Sequence, residues 1–333
     1  MSGLPTLDCS GFSHQSEEDR VEFCKALVES FKAHGFVKLI NTGIDDKTTS
    51  KLLDWSNKFF SLPADAKGDI VCIRGPYPQR GWSCVGSEQT SKLRKENSAN
   101  RNADELTDAR EHFDAGPPGD KQYPNKWPQD QSFATFQPFM EETYAKCQEV
   151  SMKIMAAMEV GLELQAGQLT ELCKDAASEI RMNHYPSISI EKLLDGRVKR
   201  TWPHTDFGIV TLLFQDQVGG LELEDRSKQG TFVPVAPPGS GRNGEIVVNI
   251  SNTFQRWTND VIRAGLHQVT VPPGYKEATE GSVPPRHSCV FFFKASRDTS
   301  VGPLSHFVTS DMPANYDDVT ALQYQQRMTQ ELY

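Results

Sequence analysis

Hydrophobic and polar positions divide the chain into stretches of different period. Leu4-Pro-Thr-Leu-Asp8 alternates and predicts a short strand. Behind Glu17, Glu18 and Asp19, apolar Val21, Cys24, Leu27, Val28 and Phe31 fall at helical spacing, and Gly35 marks the helix end. Phe36–Ile40 reads as a strand, and Asp45–Phe60 as a helix carrying Leu52, Leu53, Trp55 and Phe59. From Arg74 to about Lys126 the periodicity disappears among Gly, Pro, Asn and charge, which predicts a long irregular segment of the kind that covers functional sites. Phe133, Phe136, Met140, Cys147, Val150, Ile154, Met155, Met158 and Leu162 then predict a long helix over Phe133–Leu164, with its methionine stripe in the core.

From Ile180 onward the texture is short β-type runs cut by Gly and Pro. These are Ile180–His184, Ile209–Phe214, Gly220–Glu224, Phe232–Val235, Glu245–Ile250, His267–Val271 and Cys289–Phe293, a spacing that predicts a sandwich or barrel. Tyr316–Tyr333 returns to approximately helical spacing through Val319, Leu322, Tyr324 and Met328. The expected architecture is mainly β with flanking helices, an N-terminal mixed α/β part (1–130) packing on a core formed by 131–333 as one unit.

Composition narrows the function classes. The 333 residues are 37% hydrophobic and 24% charged, which fits a globular protein and excludes collagen-like or disordered chains. A net charge of −9 argues against nucleic acid as a partner, because gripping phosphates takes a clustered basic excess. No apolar run approaches the roughly 20 residues of a membrane span, and the N-terminus lacks an export pattern, so a soluble cytoplasmic protein acting on a small molecule is expected. Seven scattered cysteines without a Cys-x-x-Cys predict reduced, mostly buried thiols. Oligomeric state leaves no mark in the sequence.

The chemistry is concentrated around Trp202-Pro-His204-Thr-Asp206-Phe-Gly208. On extended backbone, positions i and i+2 share a face, so His204 and Asp206 can converge on one ion. Such a spacing is common by chance, and a second copy occurs at His112-Phe-Asp114. The first copy is followed by His267 and by Arg286-His-Ser288 at the start of an apolar strand. Two histidines and a carboxylate form a facial donor set that leaves three positions open on Fe(II). Arg286 and Ser288 share a face and suit a carboxylate. The rival set His112, Asp114 and His184 has no Arg-x-Ser at a comparable distance, so it is rejected as the metal site. Gly219-Gly220 reads as a tight turn, and His287 as a structural residue on the opposite strand face.

These features, together with Asn183-His-Tyr185-Pro186, Gly219-Gly220-Leu221 and the opening Leu4–Asp8, resemble the isopenicillin-N-synthase-like branch of the Fe(II)/2-oxoglutarate-dependent dioxygenases over nearly the whole chain. Arg80–Glu88 and Asp108–Gly116 look like fungal members, among them thymine hydroxylases and secondary-metabolite oxygenases. The resemblance implies a double-stranded β-helix, or jelly-roll, core. It implies iron on His204, Asp206 and His267, and 2-oxoglutarate held by Arg286 and Ser288 with help from Tyr185 and Asn183. With O2 these would oxidise a small organic substrate, releasing succinate and CO2. Arg110, His112 and Phe113 fall where the family's pocket mouth lies and are candidate substrate contacts. The insert Pro272–Pro284 reads as a long hairpin loop. Two alternatives stay open: an Fe(II) oxidase of the same fold that does not use 2-oxoglutarate, and a catalytically silent jelly-roll binding protein.

Overall fold

The computed structural model describes residues 3–10, 12, 16–94, 105–239 and 244–333; part of the expected irregular stretch, 95–104, lies outside the described residues. The first half of the chain forms β1 (Thr6–Asp8), α1 (Glu17–His34), β2 (Phe36–Ile40), α2 (Asp46–Phe60), β3 (Gly81–Ser83), β4 (Thr107–Asp108), β5 (Glu111–Ala115) and α3 (Phe136–Gly161). The second half adds β6 (Glu179–Tyr185), β7 (Ile188–Ser189), β8 (Val198–Lys199), β9 (Thr201–His204), β10 (Val210–Gln215), β11 (Leu221–Glu224), β12 (Phe232–Pro234), β13 (Ile246–Ile250), β14 (His267–Val269), β15 (Ser282–Val283), β16 (Arg286–Phe293) and α4 (Ala321–Leu332).

Local chemistry sets the helix ends. Ser16 caps α1 by accepting from the Asp19 amide at 3.2 Å, acidic residues fill the first turn, and Gly35 closes the helix in the left-handed region at φ 75°. Asp45 caps α2 through the Thr48 amide at 2.8 Å. Phe133, expected to open the long helix, instead ends a single 3-10 turn ahead of α3.

Eight strands form the major sheet in the order β1-β2-β13-β10-β16-β6-β5-β3, and four form a minor sheet, β12-β11-β14-β9. One face of the major sheet packs on α1, α2 and α3 through a core containing Phe31, Phe59, Met158, Leu212, Phe291 and Phe293. The other face meets the minor sheet over a smaller apolar cluster of Phe36, Tyr185, Leu221, Leu223, Val235, Val247 and Val269. This is the expected sandwich, and its polar interior between the sheets is where the chemistry lies.

Two expectations are corrected. The Arg74–Lys126 stretch is not irregular throughout: β5 is a fully buried strand of the major sheet, antiparallel to β6, with β3 as the edge. It escaped the hydrophobic pattern because Glu-His-Phe-Asp-Ala buries its charges in pairs. Glu111 accepts from His184 (2.8 Å), the Trp82 indole (2.7 Å) and Lys67 (3.1 Å), while Asp114 accepts from Arg181 (2.7 Å). The Pro272–Pro284 insert is not a hairpin, since β14 lies in the minor sheet and β16 in the major one. It crosses between sheets, making a 3-10 turn and then β15, which pairs with β7.

No helix among the described residues is long and apolar enough to cross a membrane. All seven cysteines are free; Cys84 is exposed, Cys9 half-buried and the other five buried.

Candidate metal and co-substrate site

His204 ends β9, Asp206 lies two residues on in the turn before β10, and His267 opens β14 directly opposite His204 in the antiparallel register. The two imidazole centroids are 4.3 Å apart. One ligand atom from each of the three residues falls within 4.8 Å of the others, and among the described residues this is the one such group of three. The rival set is not brought together: His184 turns to Glu111 on the helix side, while His112 and Asp114 face the sheet interior.

The hydrogen bonds leave the inward atoms free. His204 Nδ1 is 2.8 Å from the Trp202 carbonyl and His267 Nδ1 is 3.1 Å from the Gly265 carbonyl. A carbonyl only accepts, so both Nδ1 atoms carry the proton and both Nε2 lone pairs remain available. Asp206 Oδ2 accepts from Thr211 Oγ1 (2.7 Å) and Asn249 Nδ2 (2.9 Å), which leaves Oδ1 toward the histidines, 3.7 Å from His204 Nε2. Burial, reinforced by the neighbouring His267, pulls His204 down to about 3, so its imidazole is neutral at physiological pH. Burial opposes the charge on Asp206, yet His267, His204 and the two side-chain donors hold its carboxyl below the usual range. Two imidazoles with Nδ1 turned to backbone carbonyls and an oriented carboxylate fit a divalent iron. Thr211 and Asn249 carry no sequence signal, because they join Asp206 only through the pairing of β10 with β13, Thr211 opposite Asn249.

Beside this cluster lies an inner chamber lined by Asn183, Tyr185, Arg286 and Ser288. Arg286 is 1% exposed; it donates to Ser288 Oγ at 3.3 Å and Gln215 Oε1 at 3.0 Å, and its guanidinium lies 4.9 Å from the Tyr185 ring centre. Its Nε is buried without a partner, as are Gln215 Nε2 and Asn183 Oδ1. Among the described residues no carboxylate lies within ion-pair distance of Arg286, so a buried positive charge stands ready for an external anion. Asn183 Nδ2 reaches Ser288 Oγ at 3.5 Å, and Tyr185 and Asn183 face Arg286 and Ser288 in the β6–β16 register. Although burial opposes it, Arg286 and Arg110 hold the Tyr185 phenol below its ordinary pKa.

A second arginine, not singled out from the sequence, backs this end. Arg200 is fully buried, donates to the Pro284 carbonyl, and leaves Nε and Nη1 unpartnered. Burial, then repulsion from Arg286, pulls it down to about 10.

An outer chamber shares His204, Asp206, Arg110 and Phe292 with the inner one. Its walls include Glu88, Arg181 and Phe207, and α4 closes it with Gln325, Thr329 and Leu332. Of the three candidate substrate contacts, only Arg110 lines the chambers. His112 is buried beside Glu88 and Asp114, 3.4 Å from each. Phe113 points the other way, into the helix-side core against Phe59, Phe136 and Trp127. The pleat explains the correction, since adjacent residues of β5 face opposite sides of the sheet.

Residues 4–130 match the family model described as the non-haem dioxygenase in morphine synthesis N-terminal region, and residues 177–295 match the 2OG-Fe(II) oxygenase superfamily. The chain is 46% identical to the 2-oxoglutarate-dependent dioxygenase phqC of Penicillium fellutanum, covering 98% of this chain and 94% of that one. It is 42% identical to the 2-oxoglutarate-dependent dioxygenase imqE of Aspergillus flavus, covering 99% and 94%. Among solved structures, the full-length thymine hydroxylase of Neurospora crassa in complex with alpha-KG superposes with a TM-score of 0.85 at 26% identity, over 98% of this chain and 95% of that one.

Proposed function

The chain belongs to the 2OG-Fe(II) oxygenase superfamily, and from that premise we infer that it is a fungal-type 2-oxoglutarate-dependent dioxygenase of secondary metabolism. It uses Fe(II), 2-oxoglutarate and O2 to oxidise a small organic molecule, releasing succinate and CO2. The observation that supports this reading best is the juxtaposition of the His204, Asp206 and His267 ligand atoms with a buried arginine, Arg286, that no carboxylate neutralises.

In this reading His204 Nε2, Asp206 Oδ1 and His267 Nε2 hold the metal, while Thr211 and Asn249 fix which carboxylate oxygen faces it. Arg286 and Ser288 take the distal carboxylate of 2-oxoglutarate, Tyr185 stacks on the guanidinium and adds its hydroxyl, and Asn183 lies between that clamp and the metal. When bound, iron and the keto acid supply the oxidising power for a C–H bond. The protein separates two bound molecules: co-substrate in the inner chamber, primary substrate in the outer one, with the metal ligands shared between them. Gln325, Thr329 and Leu332 of α4 wall the outer chamber and limit water access. The segment 1–130 contributes Arg110 and four strands of the major sheet, so it and 131–333 act as one catalytic unit.

The test is oxygen uptake and succinate release by iron-loaded protein with and without 2-oxoglutarate. Succinate formed only with 2-oxoglutarate supports the reading. Uptake indifferent to 2-oxoglutarate replaces it with the oxidase.

A further inference from the structure

The outer chamber carries three cationic side chains, and their donor use differs. Arg181 has an acceptor on every nitrogen: Nε donates to Asp114, Nη1 to Glu88, and Nη2 to Gln79, Glu88 and Asp114. Lys294 is paired with Glu179. Arg110 is different. Its Nη2 donates to Glu88 at 2.6 Å and Asp108 at 3.5 Å, but its Nε is buried with no partner, and the residue lines both chambers beside His204. A guanidinium has five N–H donors in a rigid fork, and the carboxylates behind this one fix its direction.

Resting on the oxygenase reading above, we propose that Arg110 is the specificity-determining anchor of the primary substrate, and that the group it takes is the neutral carbonyl oxygen of an amide or lactam.

Charge decides between a carbonyl and a carboxylate. Arg110 and Arg181 share three carboxylates, Glu88, Asp108 and Asp114. Despite its burial, Glu88 is held ionised by Arg181, His112 and Arg110. Burial raises Asp108 to about 7 and Asp114 to about 6. The two guanidiniums are therefore already neutralised near pH 7, and a buried substrate carboxylate would find no surplus positive charge. A carbonyl accepts from the unspent donors without adding charge, and an amide is a strong neutral acceptor. Across the same chamber Gln325 spends its Nε2 on Glu179, which leaves Oε1 to accept an amide N–H. Phe207 and Phe292 supply apolar wall.

The experiment uses full-length protein loaded with Zn(II) and 2-oxoglutarate, with 2-piperidone as the lactam probe and cyclohexanecarboxylate as an anion of similar size. Their dissociation constants come from saturation-transfer NMR, and that of 2-oxoglutarate from calorimetry. Wild type should bind 2-piperidone at least tenfold more tightly than the carboxylate. Arg110→Met removes the donors but leaves Glu88 short of a partner. Arg110→Lys is the second variant, because it keeps that charge while losing the fork. Either folded variant should weaken 2-piperidone at least tenfold, and by a larger factor than it weakens 2-oxoglutarate. Preference for the carboxylate, no lactam binding by wild type, or undiminished lactam binding by Arg110→Lys overturns the proposal. Failure of wild type to bind 2-oxoglutarate is a separate result, which would overturn the oxygenase reading.

Discussion

Arg286 and Tyr185 sit opposite each other in the antiparallel register of β16 and β6, with the guanidinium carbon 4.9 Å from the centre of the phenol ring. This stacking holds a buried cation in place without a carboxylate to quench it, so the charge stays available to a ligand.

Arg286→Lys keeps the charge but loses the planar fork, its bond to Gln215 and its stacking on Tyr185. Losing one charge-assisted hydrogen bond, worth about 1.5–3 kcal/mol, should raise the Michaelis constant for 2-oxoglutarate roughly 10–100-fold. Initial rates against 2-oxoglutarate at saturating iron measure this, and an unchanged constant would remove Arg286 from the co-substrate site.

Asn249→Ala and Thr211→Val each remove one of the two donors that orient Asp206. Loss of such a supporting contact typically weakens metal affinity about 10–100-fold. Metal titration should show that range for each variant, with circular dichroism unchanged. Asp206→Ala removes one of the three proposed ligands and should leave purified protein without stoichiometric iron.

His287 offers a pH prediction. Burial, then the neighbouring His184, pulls it down to about 4 from an ordinary value near 6.5. Between those values the unfolded chain binds the extra proton, so this residue's contribution to stability is full above about pH 6.5 and falls as the pH drops toward 4. Glu111 and Asp216 oppose the shift, and Arg286 reinforces it. The difference in urea-unfolding free energy between wild type and His287→Gln should change by on the order of 2 kcal/mol across that window. A pH-independent difference would show that the imidazole is not held neutral.

Gly220 adopts φ 96°, and a Cβ there would lie 2.6 Å from the Thr270 carbonyl oxygen, on the segment that follows β14. Gly220→Ala should cost about 1–3 kcal/mol through backbone strain and displacement of that segment. Urea denaturation measures the loss.

Leu332→Ala opens the α4 wall of the outer chamber. Succinate should then exceed oxidised product by at least twofold where wild type is coupled, read from the ratio of the two products. A wild-type ratio would mean that α4 does not control access.

The helices, the apolar strands and the His204, Asp206, His267 and Arg286 positions were legible because each follows a local rule: 3.6 or 2.0 periodicity, or same-face spacing on one strand. β5 was illegible because its burial is balanced by ion pairs to β6 and to the short helical segment carrying Lys67, contacts that exist only after folding. Phe113 faces the helix-side core, against expectation, because chain position places β5 near the pocket but does not fix which side chain faces it. Thr211, Asn249 and Arg200 likewise gain their roles from partners on other strands.

The alternation of β16 stores the site as parity. Arg286 and Ser288 face the chamber, while His287 faces the helices, bonds Ser56 at 3.0 Å and stacks on His184. Deleting one residue within this strand would exchange the two sets, turning the guanidinium toward the apolar core and an imidazole toward the co-substrate. The crossover Pro272–Pro284 is under no such constraint, because it joins two sheets through turns and a two-residue strand. Length changes are therefore tolerable there in pairs or singly, whereas β16 and its partner β6 admit substitution but not slippage.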